Sequence, residues 1–394
     1  MKIIFKKNRE ASLLFCLLIT LSCMNFLGRG SIVYFVFALF ALLKIHPFIK
    51  IDGNFIFAAL LTMSIAISSI IFYNVNEFVK SLNYVLLYLI GYNGFISSEN
   101  KLMFAKRSIF AIFAGFSLNI ILTYWFNHEY NFEGRRLLYS IWTKEFMAVT
   151  LVGLLSSIII GYSFYAIFLC KKYLIKLTGI VSIFVMFLIN IQTATRTPII
   201  LFAIVYAFLF FLRFFSTNWR KKIKWLALSS IVVLVAIALY LNNAFGIRAY
   251  IISSPIFTRF SSEGIETSRT EIAVYHFNNM LDSLWGGNKI SETYGKMAHN
   301  FIQEGHDKYG IFATIALLGL TYYFFRNIIR LLFVKEKQQI DYLFISMYVA
   351  IIIQICLEPV FDGYPVVVMS LLMIHGIVTA YLPIRDALIR GDDI

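Results

Sequence analysis

Along most of its length the chain alternates between long apolar runs and short connections rich in lysine and arginine. Each run holds about 17 to 25 residues with few charges, the length that a helix needs to cross the hydrocarbon core of a bilayer. A spanning segment must satisfy its own backbone hydrogen bonds, so runs of this length predict helices rather than open sheet. The pattern predicts an all-α, polytopic integral membrane protein. It has about twelve spans, at roughly 11–27, 30–48, 54–73, 78–97, 108–126, 145–169, 177–193, 198–215, 225–245, 303–325, 341–357 and 365–384. The whole chain, 1–394, is expected to form a single transmembrane domain. The first run has the look of a signal-peptide core. It lacks a small-residue cleavage site and is followed at once by another run, so it is read as an anchor.

Composition agrees with this class. Hydrophobic residues make up 60% of the chain and charged residues 14%, against about a quarter charged in soluble domains. Lysine and arginine fall unevenly: 23 of the 35 lie in one alternate set of connections together with the two ends of the chain. By the positive-inside rule both termini are then cytoplasmic. The net charge of +14 needs no nucleic-acid partner, because basic loops facing anionic headgroups account for it. Cys16, Cys23, Cys170 and Cys356 fall within predicted spans or at the edge of one, at spacings that fit neither a disulfide framework nor a metal site, and are read as packing residues. Trp125, Trp142, Trp219 and Trp225 sit near span ends, as interfacial anchors do.

No internal repeat, low-complexity run or soluble domain interrupts the pattern. Two connections on the external side are long: about 127–144, and about 246–302 inserted between spans. Long loops in a tight bundle are commonly functional, which directs attention outward. In the larger loop "SRTE", Ser268 to Glu271, has the form of a capping box. Ala273, Phe277, Met280, Leu281 and Leu284 then follow on one helical face, predicting an amphipathic helix of about four turns on the membrane surface or on the bundle. It stops at "WGGN", residues 285–288. Arg269 occupies the first turn, where a cation is slightly unfavourable for the helix but well placed for an anion. In "QTATRTPII", 192–200, Thr197 can cap a helix and Pro198 suits its first position, so Arg196 precedes another helix start. Asn300, with Gln303 three residues on, predicts a third start, with His299 just outside it. Two external arginines at helix starts point to a phosphate-bearing ligand at the lipid interface, since the guanidinium fork binds two oxygens at once. His299 can take a proton near neutral pH. His299 and His306 are seven residues apart without a matching acidic cluster, so no metal site is read there.

The ordered set "TATRTP", "SRTE", "WGGN" and "AHNFIQEGHDKYG", across about residues 193 to 312, resembles the bacterial O-antigen polymerase and O-antigen ligase superfamily. The shared pattern is an external Ser/Thr-Arg at a span end, an arginine in the large periplasmic loop, a glycine-rich turn, and His-Asn before the next span. The first half of the chain matches only as hydrophobic helices. "WGGN" departs from the commoner Gly-x-Gly, and Tyr275 stands near a position that often holds tryptophan.

The resemblance implies a membrane glycosyltransferase type C-like fold in the bacterial inner membrane. It implies metal-independent glycosyl transfer from an undecaprenyl-diphosphate-linked glycan on the periplasmic face, with no cofactor. A chain-length regulator is an expected partner. The chemistry of the residues fits: Arg196 and Arg269 as substrate-binding groups on the diphosphate, His299 as the catalytic base on the attacking hydroxyl. Asn300 is read as a helix cap. Arg135, Arg136, Arg259, Glu358 and Asp362 are secondary candidates. Polymerase is favoured over ligase because the unequal external loops and the aromatic bias (40 Phe, 23 Tyr) fit the more divergent polymerases. A transporter of lipid-linked glycans is the alternative of another class. It would call for inverted repeats or ionisable residues at mid-membrane. His375, the clearest polar residue inside a span, is read instead as hydrogen-bonded to a neighbouring helix.

Overall fold

The computed structural model describes residues 7–44, 50–72, 74–128, 138–215, 222–223, 227, 230, 234, 237–263, 269–334 and 336–390. Among them the chain is all-α apart from one small antiparallel hairpin, Leu138–Tyr139 paired with Phe146–Met147. Seven helices are long and apolar enough to cross a membrane: Gly53–Ile71, Lys101–His128, Thr150–Leu169, Tyr173–Gln192, Thr197–Phe215, Ile311–Leu332 and Val366–Ala387. Leu13–Cys23, Gly30–Leu42 and Gln339–Ile355 are apolar but shorter.

Seven of the twelve expected spans thus have that length and hydropathy among the described residues. Val75–Ser97 has the length, but its first turns hold Asn76, Glu77, Lys80, Ser81 and Asn83. Nine of the 21 positions of the run at 225–245 lie outside the described residues. The run at 303–325 is divided: residues Phe301–Tyr309 form a separate short helix, and the chain breaks at Gly310 (φ 85°) before Ile311–Leu332 begins.

The centre of the bundle is the pair Val366–Arg390 and Val75–Ser97. A Cβ added at Gly91 would lie 2.1 Å from the Met373 carbonyl oxygen, and one at Gly376 would lie 2.2 Å from that of Tyr88. The two backbones touch because both positions lack side chains, the usual means by which apolar helices gain packing contact in lipid. Several buried polar groups on the spans are paired laterally. Tyr34 Oη and Ser370 Oγ share a hydrogen bond of 2.7 Å. His375 bonds Asn54 Oδ1 through Nε2 at 2.9 Å and Tyr348 Oη through Nδ1 at 2.7 Å. That is the helix-to-helix role expected of it.

One end of the bundle collects all the connections that matter below. Trp142 donates to the Met24 carbonyl at 3.4 Å, Ser68 to the Lys308 carbonyl at 3.0 Å, and Tyr309 to Glu77 at 3.0 Å. Arg259 donates to the Ala194 carbonyl at 3.0 Å. These bonds link 24 with 142, 68 and 77 with 308–309, and 194 with 259, positions in or beside the connections that sequence assigns to the external side.

The large loop is a chain of short helices: Ile247–Ile252, Pro255–Glu263, Arg269–Asn278, a single turn at Met280–Ser283, and Lys289–Tyr294. The four-turn amphipathic helix expected from 269 to 284 is therefore broken near Asn279, and a different face is covered. Ile272 and His276 are buried, whereas Phe277, Leu281 and Leu284 are exposed at 69%, 79% and 42%. The polar His276 can turn inward because other loop segments, not lipid, cover it. The exposed apolar side agrees with a helix lying on a membrane surface.

Candidate functional site

Arg269, at the first position of helix Arg269–Asn278, reaches across to the connection between the last two long helices. Its Nη1 donates to the Leu357 carbonyl at 3.0 Å and its Nη2 to Glu358 Oε1 at 2.7 Å. Thr197 Oγ1 donates to the same Glu358 oxygen at 3.2 Å. Thr197 is thus the first helical residue, not the cap, because its hydroxyl is drawn to the carboxylate. Arg196 moves into the cap position, where its carbonyl accepts from the Ile199 and Ile200 amides at 3.1 and 3.2 Å. Arg196 and Arg269, both half-buried, and the buried Glu358 therefore belong to one locus. Glu358 is 1% exposed, and its Oε2 is buried without a hydrogen-bond partner. Burial pushes its carboxyl above the usual range, while Arg269, Thr197 and Arg259 pull the other way. Two of the five guanidinium donors of Arg269 are spent on these bonds. Its side chain keeps 33% exposure, so the remaining donors can meet a ligand.

His299 lies just ahead of the helix that starts at Phe301. Asn300 caps that helix as expected, with extended dihedrals (φ −142°, ψ 151°) and Oδ1 accepting from the Gln303 amide at 2.9 Å. The reciprocal half of a capping box does not form. Gln303 instead donates from Nε2 to the Ala273 carbonyl at 2.8 Å, which ties the helix behind His299 to the helix that carries Arg269. His299 is half-buried, and its Nδ1 is buried without a partner. Burial, then the charges of Arg269, His276 and Lys296, hold its imidazole below the ordinary value. It is a neutral ring at neutral pH, able to accept a proton.

The rest of the polar crowd between 296 and 310 has structural work. His306 is buried, sharing bonds with Thr314 Oγ1 and the Met280 carbonyl, both at 2.7 Å. Asp307 accepts from the Ile290 and Ser291 amides at 2.8 and 2.9 Å, holding the start of Lys289–Tyr294. The backbone of "WGGN" runs against this helix end: the Gly287 amide donates to the Lys308 carbonyl at 3.1 Å and the Asn288 amide to that of Asp307 at 2.9 Å. A Cβ at Gly286 (φ 91°) would stand 2.3 Å from the Lys308 carbonyl oxygen, which is why no larger residue fits the turn. Glu304, also buried, accepts from the Val360 and Asp362 amides at 2.5 and 2.7 Å. It thereby fixes the connection on which Glu358 stands. Burial raises the Glu304 carboxyl to about 7.

Of the sequence candidates, Arg269 and His299 come into electrostatic reach of each other, and Arg196 adjoins the Thr197 that shares Glu358 with Arg269. Arg259 joins them through Ala194, the residue two before Arg196. Asp362 belongs elsewhere, paired with Lys308. Arg135, Arg136 and the expected N-cap Ser268 lie outside the described residues, as do Trp219 and Trp225. Sequence reading missed His276, two turns beyond Arg269 on the same helix and next to His299. A seven-residue spacing from the arginine was the available signal. It also missed Glu304 and Lys308 as organising groups, for which no local pattern exists. No family model matches the chain, and no curated protein does so with significance.

Proposed function

We propose that this protein is a glycosyltransferase of the inner membrane, an O-antigen polymerase that joins undecaprenyl-diphosphate-linked repeat units into polysaccharide on the periplasmic face. The reading takes the bundle as about twelve spans in a membrane glycosyltransferase type C-like arrangement, with both termini cytoplasmic. One observation carries it. Residues far apart along the chain, Arg196 with Thr197, Arg269, His299 and Glu358, converge at the bundle end that bears the long loops.

The chemistry follows from these groups. In the transfer, the bond between the anomeric carbon and the diphosphate oxygen breaks, and the acceptor hydroxyl oxygen forms the new bond to that carbon. The bonding electrons leave on the diphosphate. Arg196 and Arg269 stabilise that charge, with Glu358 holding Arg269 in one orientation before the ligand arrives. The hydroxyl proton passes to the neutral imidazole of His299.

The test is replacement of Arg196, Arg269 and His299 one at a time, scored by the lipopolysaccharide ladder at checked protein level. Each variant is expected to be made and to stop at single repeat units. A full ladder from His299→Ala would remove the base assignment. Loss of all O-antigen in a deletion strain, rather than loss of its length, would assign the chain to ligation instead. Substrate crossing the membrane without new bonds would make it a transporter.

A further inference from the structure

A cavity of about 530 Å³ opens at the same bundle end, yet it is not lined by Arg196, Arg269 or His299. Its charged lining is Arg29, Lys80, Lys308, Glu77 and Asp362, with Phe361 and Asn76 among the other walls. It shares with the site above the connection after Gln339–Ile355. Leu357 and Glu358 of that connection serve Arg269, whereas Phe361 and Asp362 face the cavity. Glu304, bonded to the Val360 and Asp362 amides, holds both stretches in place.

Its charges are unevenly satisfied. Lys80 pairs with Glu77 at 2.9 Å, and Lys308 pairs with Asp362. Asp362 and Glu77 together outweigh the burial that would lower the Lys308 ammonium, so it stays charged. Arg29 is exposed and takes part in no ion pair among the described residues. Three cations against two acids leave one positive charge. The two lysine–carboxylate pairs offer donors and acceptors side by side, which is what sugar hydroxyls need, since each both gives and takes a hydrogen bond. The ring of Phe361 and the neighbouring Pro365 and Val366 supply an apolar wall for the C–H face of a pyranose. The volume falls within the roughly 300–1,000 Å³ of small-molecule sites.

We infer that this cavity binds an acidic sugar unit of the glycan, its single carboxylate held by the guanidinium fork of Arg29 and its hydroxyls read by the Lys80–Glu77 and Lys308–Asp362 pairs. The inference deepens the reading under "Proposed function" and rests on it for the identity of the glycan as substrate.

Binding tests it separately from transfer. The full-length protein in phosphatidylcholine nanodiscs is titrated with oligosaccharides ending in glucuronate, galacturonate or sialate, and with their carboxyl-reduced counterparts. The best acidic ligand is expected to bind at least about tenfold more tightly than its reduced form. Arg29→Ala abolishes that preference, Arg29→Lys keeps part of it, and Arg269→Ala leaves it intact. Absence of binding across the panel, equal binding of acid and reduced forms, or a preference that survives Arg29→Ala would overturn the assignment. Displacement of the saccharide by phosphatidylglycerol in the disc, with no acid preference in its absence, would do so as well and would identify a lipid headgroup as the occupant. Chain elongation that proceeds without Arg269 would refute the proposed function while leaving this binding result standing.

Discussion

Arg269 donates to Glu358 at 2.7 Å, joining the large loop to the connection before the last long helix. The Glu358 side chain is almost fully buried and the Arg269 side chain is one-third exposed. Removing one partner of a fully buried pair costs about 3–5 kcal/mol. Solvent at Arg269 screens the pair, so a coupling of roughly 1–3 kcal/mol is expected here. A double-mutant cycle with Arg269→Ala and Glu358→Ala, read by thermal unfolding in detergent, measures it. Additive effects would show that the two side chains do not support each other. Glu358→Gln keeps a side chain able to bond Thr197 but loses the charge. It is expected to be made normally and to lose most chain extension.

The position of His299 sets a pH dependence. Its imidazole is held below the ordinary value near 6.5, so it stays neutral from neutral pH upward and becomes protonated only in acid. Elongation of lipid-linked units by purified protein should therefore be flat from neutral to mildly alkaline pH and should fall on acidification. Lys296→Ala removes a nearby positive charge and should move that acid limb to higher pH. His299→Ala should cost about 10²–10⁴ in rate. An acid limb that does not respond to Lys296→Ala would place the titrating group elsewhere.

Glu304 gives the opposite sign in stability. Its carboxyl lies at about 7 in the folded protein, above the ordinary 4.5, because it is buried. The folded state holds this proton more tightly, so the contribution is present in acid and is lost as pH rises through about 7. With 1.36 kcal/mol per unit, the change across that window is about 3 kcal/mol. Melting temperature from pH 5 to 8 should fall more steeply for the native protein than for Glu304→Gln. The amide turns one acceptor into a donor facing the Val360 or Asp362 amide, so the variant should also start about 1–3 kcal/mol less stable. Parallel curves would rule out Glu304 as the source.

Asp307 and His306 should behave as structural residues despite standing in the same polar run as His299. Asp307→Ala orphans two amides at the start of Lys289–Tyr294, at a cost of roughly 1–3 kcal/mol for each buried group left unpaired. Reduced protein level with a normal acid limb per molecule is expected for Asp307→Ala and for His306→Ala. A normal level with no elongation would move either residue into the chemistry.

Much of the architecture was legible in the chain itself, because its causes act over short distances. Apolar runs make helices wherever they occur, since backbone groups in lipid must bond within their own segment. The Asn300 cap and the glycine turn at 286–287 follow from neighbours a few residues away. The same local view could not foresee that Gly310 would part Phe301–Tyr309 from the span Ile311–Leu332 that follows.

Everything that makes these residues one locus was decided by packing. Glu358 takes both Arg269 and Thr197 only because the helix pairs around it bring three distant connections to one end of the bundle. Packing also turned Ile272 and His276 inward where the apolar period pointed to Phe277 and Leu281. It assigned His306, Asp307 and Glu304 to holding loops rather than meeting a ligand. Hydropathy and capping depend on what lies within a helical turn or two. Which loop faces which depends on how far-separated helices fit side by side, and no stretch of sequence carries that alone.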